Sequence, residues 1–183
     1  MEEKQIYQHD PLGWTTSIGT GLNTLMMGLN VFTADQYEEV TDVSFYTREP
    51  GTQYVAAVFT GSAPPADDDM PVAWISGTTA LPGYHTVTLP DTVPPLTPGE
   101  EFSVLLMVIS PNDTYPLVVE MPIDGYSSGA TAEAGESYVS IDLVNWGGDL
   151  TDIHGFEDTN VCIKRTPALS PSCHGITRPL WRR

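Results

Sequence analysis

Basic residues are scarce in this sequence, and their scarcity argues against one class of partner. The chain of 183 residues has seven Lys and Arg against 24 Asp and Glu, which gives a formal net charge of −17. Only Lys4 and Arg48 are basic before Lys164, whereas every acidic residue precedes it. A surface of this sign repels a phosphate backbone, so no nucleic-acid partner is expected.

Long apolar runs, a leader and cysteine motifs are also lacking. No segment approaches the ~18 consecutive apolar residues of a membrane span. Residues 1–5 have neither the basic flank nor the apolar stretch of a secretory signal, so no signal peptide is predicted in the chain itself. Cys162 and Cys173 are the only cysteines, and they lack the Cys-x-x-Cys spacing of a structural zinc site. A disulfide between them is compatible with the sequence but is not required by it.

Turn residues and short β-rich segments are what the chain has in abundance. Sixteen Gly and sixteen Pro are spread along it, which is typical of short strands joined by turns. No stretch shows the apolar period of an amphipathic helix. The predicted strands span residues 25–32, 38–47, 53–60, 72–78, 84–89, 102–109, 115–121, 137–141 and 160–164.

The segment 102–109 is the longest apolar run, and it predicts a strand buried on both faces at the centre of a sheet. Turn residues close both of its ends, which argues against a buried helix. We expect this strand to form a hairpin with residues 115–121. Residues 72–78 are likewise expected to pair with residues 84–89, and the Pro-rich residues 90–98 to cross from one sheet to another.

Roughly nine strands and no convincing helix predict an all-β fold with largely antiparallel sheets. A hydrophobic content of 40% is enough for one core. We therefore predict an antiparallel β-sandwich, jelly-roll-like, with loops gathered at its two ends. Residues 166–183 are basic, Pro-containing and aperiodic, and they predict a disordered tail.

Two patterns resemble hydrolytic nucleophiles. Residues 125–129, Gly-Tyr-Ser-Ser-Gly, match the G-x-S-x-G motif with Ser127 as nucleophile, and His154 follows later in the chain. That motif requires a strand, a sharp turn and a helix within a parallel α/β sheet, so a loop of small residues is the favoured interpretation. Cys162 lies between two apolar residues of a predicted strand, and we expect it to be inert because it is buried or disulfide-linked.

Acidic and aromatic side chains in loops are the candidate binding residues. Asp67 and Asp69 in one loop, and Asp152 and Asp158 in another, are oxygen-ligand sources for Ca²⁺, although neither loop has EF-hand spacing and a solvated loop is the alternative. Aromatic rings that could stack on sugars, if exposed, are Trp14, Trp74, Tyr84, Tyr126, Tyr138 and Trp146. We expect most of them to lie in the core, with Trp146 as the exception. The predicted ligand-binding residues are Tyr126, Asn145, Trp146 and Asp149.

An ordered series of segments resembles a known family. The segments are 6–14 (IYQHDPLGW), 30–32 (NVF), 43–47 (VSFYT), 83–86 (GYHT), 99–104 (GEEFSV), 125–129 (GYSSG), 135–140 (GESYVS) and 160–164 (NVCIK). Together they resemble the lectin-like domain that follows the catalytic domain in certain prokaryotic papain-like cysteine peptidases. The resemblance implies a lectin-like domain at residues 10–165, with residues 1–9 as a linker from an upstream peptidase domain.

The resemblance also implies a function and a location. The parent would be secreted or on the cell surface, with its catalytic Cys, His and Asn upstream of Met1, so this chain is not expected to be an enzyme. The leading hypothesis is a non-catalytic accessory module that targets or holds a protein substrate or cell-surface carbohydrate. The alternatives are a structural domain that packs on the peptidase and stabilises it, or a serine hydrolase that uses Ser127. The acidic loops, rather than the resemblance, make Ca²⁺ the candidate cofactor.

Overall fold

The computed structural model describes residues 6–61, 63–66, 68–90, 93–141 and 146–169. Over these residues the chain forms twelve strands and one short 3₁₀ helix, Leu150–Asp152. The strands are β1 (Thr16–Ile18), β2 (Leu25–Thr33), β3 (Glu38–Thr47), β4 (Gln53–Thr60), β5 (Ala73–Thr78), β6 (Gly83–Thr88), β7 (Glu101–Ile109), β8 (Leu117–Glu120), β9 (Ser137–Ser140), β10 (Gly148–Asp149), β11 (Asn160–Val161) and β12 (Lys164–Leu169). None of the helical structure in these ranges is long and apolar enough to cross a membrane.

The strands form three antiparallel sheets around one core. A six-stranded sheet has the order β10-β9-β2-β7-β4-β5, and two three-stranded sheets have the orders β1-β8-β11 and β12-β3-β6. Phe45 of β3, Val104 of β7 and Val119 of β8 come from different sheets and belong to one buried cluster. The structure therefore confirms the predicted all-β antiparallel sandwich. The strands beyond the predicted nine are β1 and β10, which are very short, and a division of residues 160–169 into β11 and β12.

Strand β7 is a central strand, as its apolar run predicts. It pairs with β2 on one side and with β4 on the other. Its even-numbered residues Phe102, Val104, Leu106 and Val108 face the core and are buried, and burying each such side chain contributes roughly 1.5–3 kcal/mol. The odd-numbered residues from Leu105 to Ile109 are partly exposed. The prediction of burial on both faces is thus wrong for one face.

The predicted hairpin between residues 102–109 and 115–121 is wrong. Strand β8 lies in a different sheet from β7, between β1 and β11. The connecting loop is held by a distant side chain, since Glu49 Oε2 accepts hydrogen bonds from Ser110 Oγ at 2.7 Å, Asn112 N at 3.0 Å and Asp113 N at 3.1 Å. The hairpin prediction assumed that residues 110–114 form a local turn. In the structure a side chain from a distant part of the chain holds this loop instead.

The predicted pairing of residues 72–78 with residues 84–89 is wrong as well. Strand β5 pairs with β4, and β6 pairs with β3 in another sheet. Side-chain contacts hold β6 to β3. His85 of β6 packs on Phe45 of β3, and His85 Nε2 lies 2.9 Å from Thr47 Oγ1. The Pro-rich segment 90–98 does connect two sheets, as predicted, since it links β6 to β7.

The C-terminal strand extends beyond the predicted domain boundary at Arg165. Strand β12 continues to Leu169 and pairs with β3, with an irregularity between Thr166 and Pro167. On its other side Arg165 forms a β-bridge with Tyr7. The first residues of the predicted tail are therefore part of a sheet, and residues 170–183 lie outside the described ranges.

Candidate functional site

The loop residues predicted to bind a ligand lie in different surroundings. Tyr126 is exposed on a turn, Trp146 is half-buried, and Asn145 lies outside the described residues. Asp149 is buried and caps the 3₁₀ helix: its Oδ1 accepts hydrogen bonds from Thr151 N and Oγ1, and its Oδ2 accepts one from Gly135 N. Asp149 therefore has a local structural role, and ligand binding at these four residues stays a prediction.

The acidic residues predicted to bind Ca²⁺ are similarly dispersed. Asp69, Asp152 and Asp158 are exposed, and Asp67 lies outside the described residues. Asp69 Oδ2 accepts a hydrogen bond from Ala66 N at 2.8 Å, which closes its own loop. Within the part of the chain that the structure describes, no three His, Cys, Asp or Glu residues are grouped as a metal site. Calcium binding stays a prediction that a titration would test.

The two candidate nucleophiles are held in structural roles. Ser127 is buried; its Oγ donates to Met121 O at 2.7 Å and accepts from Ile123 N at 3.0 Å. The residues around it form turns, without the helix that the G-x-S-x-G motif requires. Cys162 is a buried free thiol, and burial, reinforced by Asp10, raises its pKa. Cys173, with which the sequence allows but does not require a disulfide, lies outside the described residues.

The expectation that most of the candidate aromatic residues lie in the core is wrong. Trp14, Trp74, Tyr84 and Tyr126 are between 38% and 72% exposed. Strand alternation explains part of this result, because Tyr84 lies on the same side of β6 as the exposed residues Thr86 and Thr88. An aromatic residue on the polar side of a strand faces solvent.

Three aromatic rings form a continuous row on the outer side of the sheet β12-β3-β6. Tyr46 of β3 and Tyr84 of β6 are register partners, and their ring centroids are 4.9 Å apart. Trp14 contacts Tyr46 from the other side, with 5.9 Å between centroids. Trp14 and Tyr84 are exposed, and Tyr46 is half-buried. We call Trp14, Tyr46 and Tyr84 the aromatic strip.

Polar side chains continue along the same side of β3 and β6. Ser44 and Thr86 are register partners whose hydroxyl oxygens lie 2.9 Å apart. In the next pair, Thr88 Oγ1 donates to Asp42 Oδ1 at 2.8 Å. We call Asp42, Ser44, Thr86 and Thr88 the polar ladder. The strip and the ladder together place apolar rings beside hydroxyl groups and a carboxylate on one surface.

Buried contacts fix the position of Trp14. It ends an N-terminal strap, residues 7–14, in which Leu12 N and Gly13 N donate to Glu120 Oε2 at 2.5 and 2.9 Å. Lys164 Nζ pairs with Asp10 Oδ2 at 2.7 Å. Gly13 has a φ of +73°, which glycine adopts without strain. The strap therefore presents Trp14 in a preorganised position, which lowers the entropic cost of binding.

The carboxyl groups that hold the strap predict an unusual pH dependence of stability. Burial raises the pKa of Asp10 and of Glu120, although Lys164 and the backbone N–H groups of Leu12 and Gly13 oppose this shift. Because the folded state binds these protons more tightly, their contribution to stability is complete below the ordinary carboxyl pKa and is lost as pH rises through the folded pKa. We expect the unfolding temperature to rise as the pH is lowered from neutral toward the ordinary carboxyl pKa.

A conservative variant separates this effect from the general acidity of the chain. Glu120→Gln keeps an oxygen that can accept from the strap but cannot ionise. Its unfolding temperature, followed by circular dichroism, should rise less steeply on acidification than that of the wild type. An identical pH profile for both proteins would show that Glu120 does not contribute.

The surface formed by the strip and the ladder has the chemistry that carbohydrates require. A sugar ring has an apolar C–H face that packs on an aromatic ring, and hydroxyl edges that exchange hydrogen bonds with Ser, Thr and Asp. The net charge of −17 disfavours anionic polysaccharides. An acidic surface of this kind would accept neutral sugars and amino sugars more readily than anionic ones.

Comparisons with known proteins agree with the fold. Two solved structures of the Clostridium cysteine protease Cwp84 are each 24% identical to this chain. One, a clostridial protein after propeptide cleavage, gives a TM-score of 0.77 over 92% of this chain and 41% of its own. The other contains the cysteine protease and lectin-like domains of Cwp84, a surface layer associated protein of Clostridium difficile, and gives a TM-score of 0.73 over 93% of this chain and 37% of its own. This chain thus spans about two fifths of the length of each structure.

A search of curated proteins found no match. The family model described as "Lectin like domain" matches residues 6–166, which is most of the chain and the range over which the resemblance was noted. The match begins just before the strap and ends within β12, so the family match and the sandwich describe the same unit. The chain belongs to the lectin-like domain family.

Proposed function

We propose that this chain is the non-catalytic accessory module of a papain-like cysteine peptidase at the cell surface, and that it holds surface glycan. The observation that carries the carbohydrate part is the aromatic strip beside the polar ladder. Trp14 is the residue on which this proposal depends most, because it is exposed while a buried ion pair and hydrogen bonds hold the strap that carries it. A rigid exposed aromatic side chain is typical of a binding anchor.

The peptidase part is supported by the relatives and by the structural contacts of the two candidate nucleophiles. Cwp84 is described as a cysteine protease with a lectin-like domain and as a surface layer associated protein. Ser127 and Cys162 are occupied by structural contacts. A module without catalytic groups, attached to such a peptidase, would keep the enzyme close to its substrate by binding the same surface.

The carbohydrate proposal predicts which side chains matter. Isothermal titration with neutral and amino-sugar oligosaccharides should detect binding with a Kd between micromolar and millimolar. We expect Trp14→Ala to weaken that binding by about tenfold, which corresponds to about 1.4 kcal/mol. Tyr84→Ala should weaken it to a similar or smaller degree, because its ring is the other exposed end of the strip.

Two aromatic residues elsewhere provide matched controls. Trp74→Ala and Tyr126→Ala remove exposed rings from other surfaces and should leave the affinity unchanged. A loss of binding in Tyr126→Ala instead would favour the loop site predicted from the sequence. Absence of binding to all oligosaccharides, with and without Ca²⁺, would contradict the carbohydrate role.

A further inference from the structure

The polar ladder contains one ionisable side chain, Asp42. Each of its carboxylate oxygens accepts a hydrogen bond from a threonine hydroxyl: Thr88 Oγ1 donates to Oδ1 at 2.8 Å, and Thr41 Oγ1 donates to Oδ2 at 2.9 Å. A carboxylate oxygen has two lone pairs, so these two bonds leave acceptor capacity on both oxygens. The group is therefore held in one orientation and can still accept hydrogen bonds from a ligand.

No basic side chain in the described ranges neutralises Asp42. Lys164 of β12 is the register partner of Ser44, so it lies on the same side of the sheet, one row away from Asp42. Its Nζ is engaged by the strap, 2.7 Å from Asp10 Oδ2 and 2.6 Å from Gln8 Oε1. Among the residues that the structure describes, none of the ion pairs includes Asp42. The charge of this carboxylate is thus available to a cationic group of a ligand.

The position of Asp42 relative to the aromatic strip sets the length of that ligand. Asp42 precedes Tyr46 by four residues on β3, and the pair Ser44 and Thr86 lies between them on the same side. An antiparallel strand advances about 3.4 Å per residue, so Asp42 and Tyr46 are about 14 Å apart along β3. A single sugar ring is shorter than this distance. A linear oligosaccharide that lies along β3 and β6 reaches both ends.

The same geometry indicates which group the far end of the ligand carries. A sugar hydroxyl and a sugar ammonium group can both donate to Asp42, but a hydrogen bond between charged groups is roughly twice as strong as one between neutral groups. N-acetylation of an amino sugar removes the charge, and it replaces three N–H donors by one. A free amino group therefore matches Asp42 better than a hydroxyl or an acetamido group does.

We propose that Asp42 is the specificity-determining residue of the carbohydrate site, and that the site selects linear oligosaccharides with a free amino group. The amino group lies on a sugar unit beyond the one that stacks on the aromatic strip, and it donates to Asp42. Thr86, which is exposed between the two ends, exchanges hydrogen bonds with the connecting hydroxyls. This inference rests on the carbohydrate role proposed above and names the class of glycan.

The test is isothermal titration with the tetrasaccharides of chitosan, chitin and cellulose, which carry free amino, acetamido and hydroxyl groups at the same ring position. The wild-type domain should bind the chitosan tetrasaccharide about fivefold more tightly than the other two. Asp42→Asn keeps the size of the side chain and an oxygen that accepts from Thr88, so it should bind all three with affinities within about twofold of one another. The wild-type preference should shrink for the corresponding disaccharides, because they are too short to reach both ends.

Asp68→Asn is the matched control. It removes the same charge from an exposed position on the loop between β4 and β5, which belong to the other, six-stranded sheet. It should keep the wild-type preference. If Asp68→Asn loses the preference as Asp42→Asn does, the selection comes from net charge and the proposal is overturned.

The wild-type titrations separate this proposal from the carbohydrate role itself. Equal affinities for the three tetrasaccharides, all weakened by Trp14→Ala, would overturn the selection of amino groups and would leave glycan binding at the strip in place. Failure of all three to bind at millimolar concentration would remove the carbohydrate role and this proposal together.

Discussion

Replacing Arg165 with alanine is expected to destabilise the folded chain by about 3–5 kcal/mol in urea unfolding. Arg165 and Glu38 are both fully buried, and Arg165 Nη2 donates to Glu38 Oε1. The guanidinium also lies 3.5 Å from the ring centroid of Tyr7 and 4.4 Å from that of Phe102. Truncation would leave the Glu38 carboxylate buried without its charged partner, and it would remove the packing that holds Tyr7 to β12.

A double variant distinguishes the unpaired charge from the lost packing. Glu38→Leu combined with Arg165→Met removes both charges and restores apolar volume, so its stability should be much closer to that of the wild type. If the double variant is as unstable as Arg165→Ala, the buried charge is not the cause. A loss below about 1 kcal/mol in Arg165→Ala would mean that the pair is solvated and that β12 is not seated as described.

Phe102→Ala is the second large effect, with an expected loss of about 3–5 kcal/mol. Phe102 is fully buried on the inner side of β7, its ring centroid is 5.6 Å from that of Phe32, and the Arg165 guanidinium covers it. Alanine would leave a cavity between two sheets and would remove one surface of the Arg165 site.

The matched control lies on the same strand and faces the other way. Met107→Ala, on the side of β7 that faces away from the core, should cost less than about 1.5 kcal/mol in the isolated domain, because that side chain is already partly exposed. Equal losses for Phe102→Ala and Met107→Ala would contradict the assignment of inner and outer sides to β7.

Strand positions could be predicted from the sequence much better than strand partners could. Strands β3 and β4 begin and end where alternation and turn residues predict, and the apolar run of β7 identifies a central strand. The two expected hairpins failed because a turn sequence shows where a strand ends but not which sheet the chain enters next. The contact between Glu49 and the loop after β7 is an example, since its partners are more than 60 residues away. Strand β10 has only two residues and shows no period.

The candidate site was partly visible in the sequence. Trp14 and Tyr84 are among the candidate aromatic residues of the sequence, and alternation along residues 84–89 places Tyr84, Thr86 and Thr88 on one side. Tyr46 was missed, although the same alternation places it with Asp42 and Ser44 on β3. What the sequence could not provide is the register between β3 and β6 and the buried contacts of the strap, which bring Trp14 onto Tyr46.

The central claim is that the aromatic strip binds carbohydrate, and nuclear magnetic resonance tests it most directly. A ¹⁵N-labelled chain would be titrated with soluble oligosaccharide from the cell wall of the source organism. The account predicts progressive shifts of the Trp14 indole N–H signal and of the backbone signals of Tyr84, Thr86 and Thr88, while the Trp74 indole signal stays in place. Saturable shifts confined to Trp74 or to the loop around Trp146, or no shifts at millimolar oligosaccharide, would contradict it.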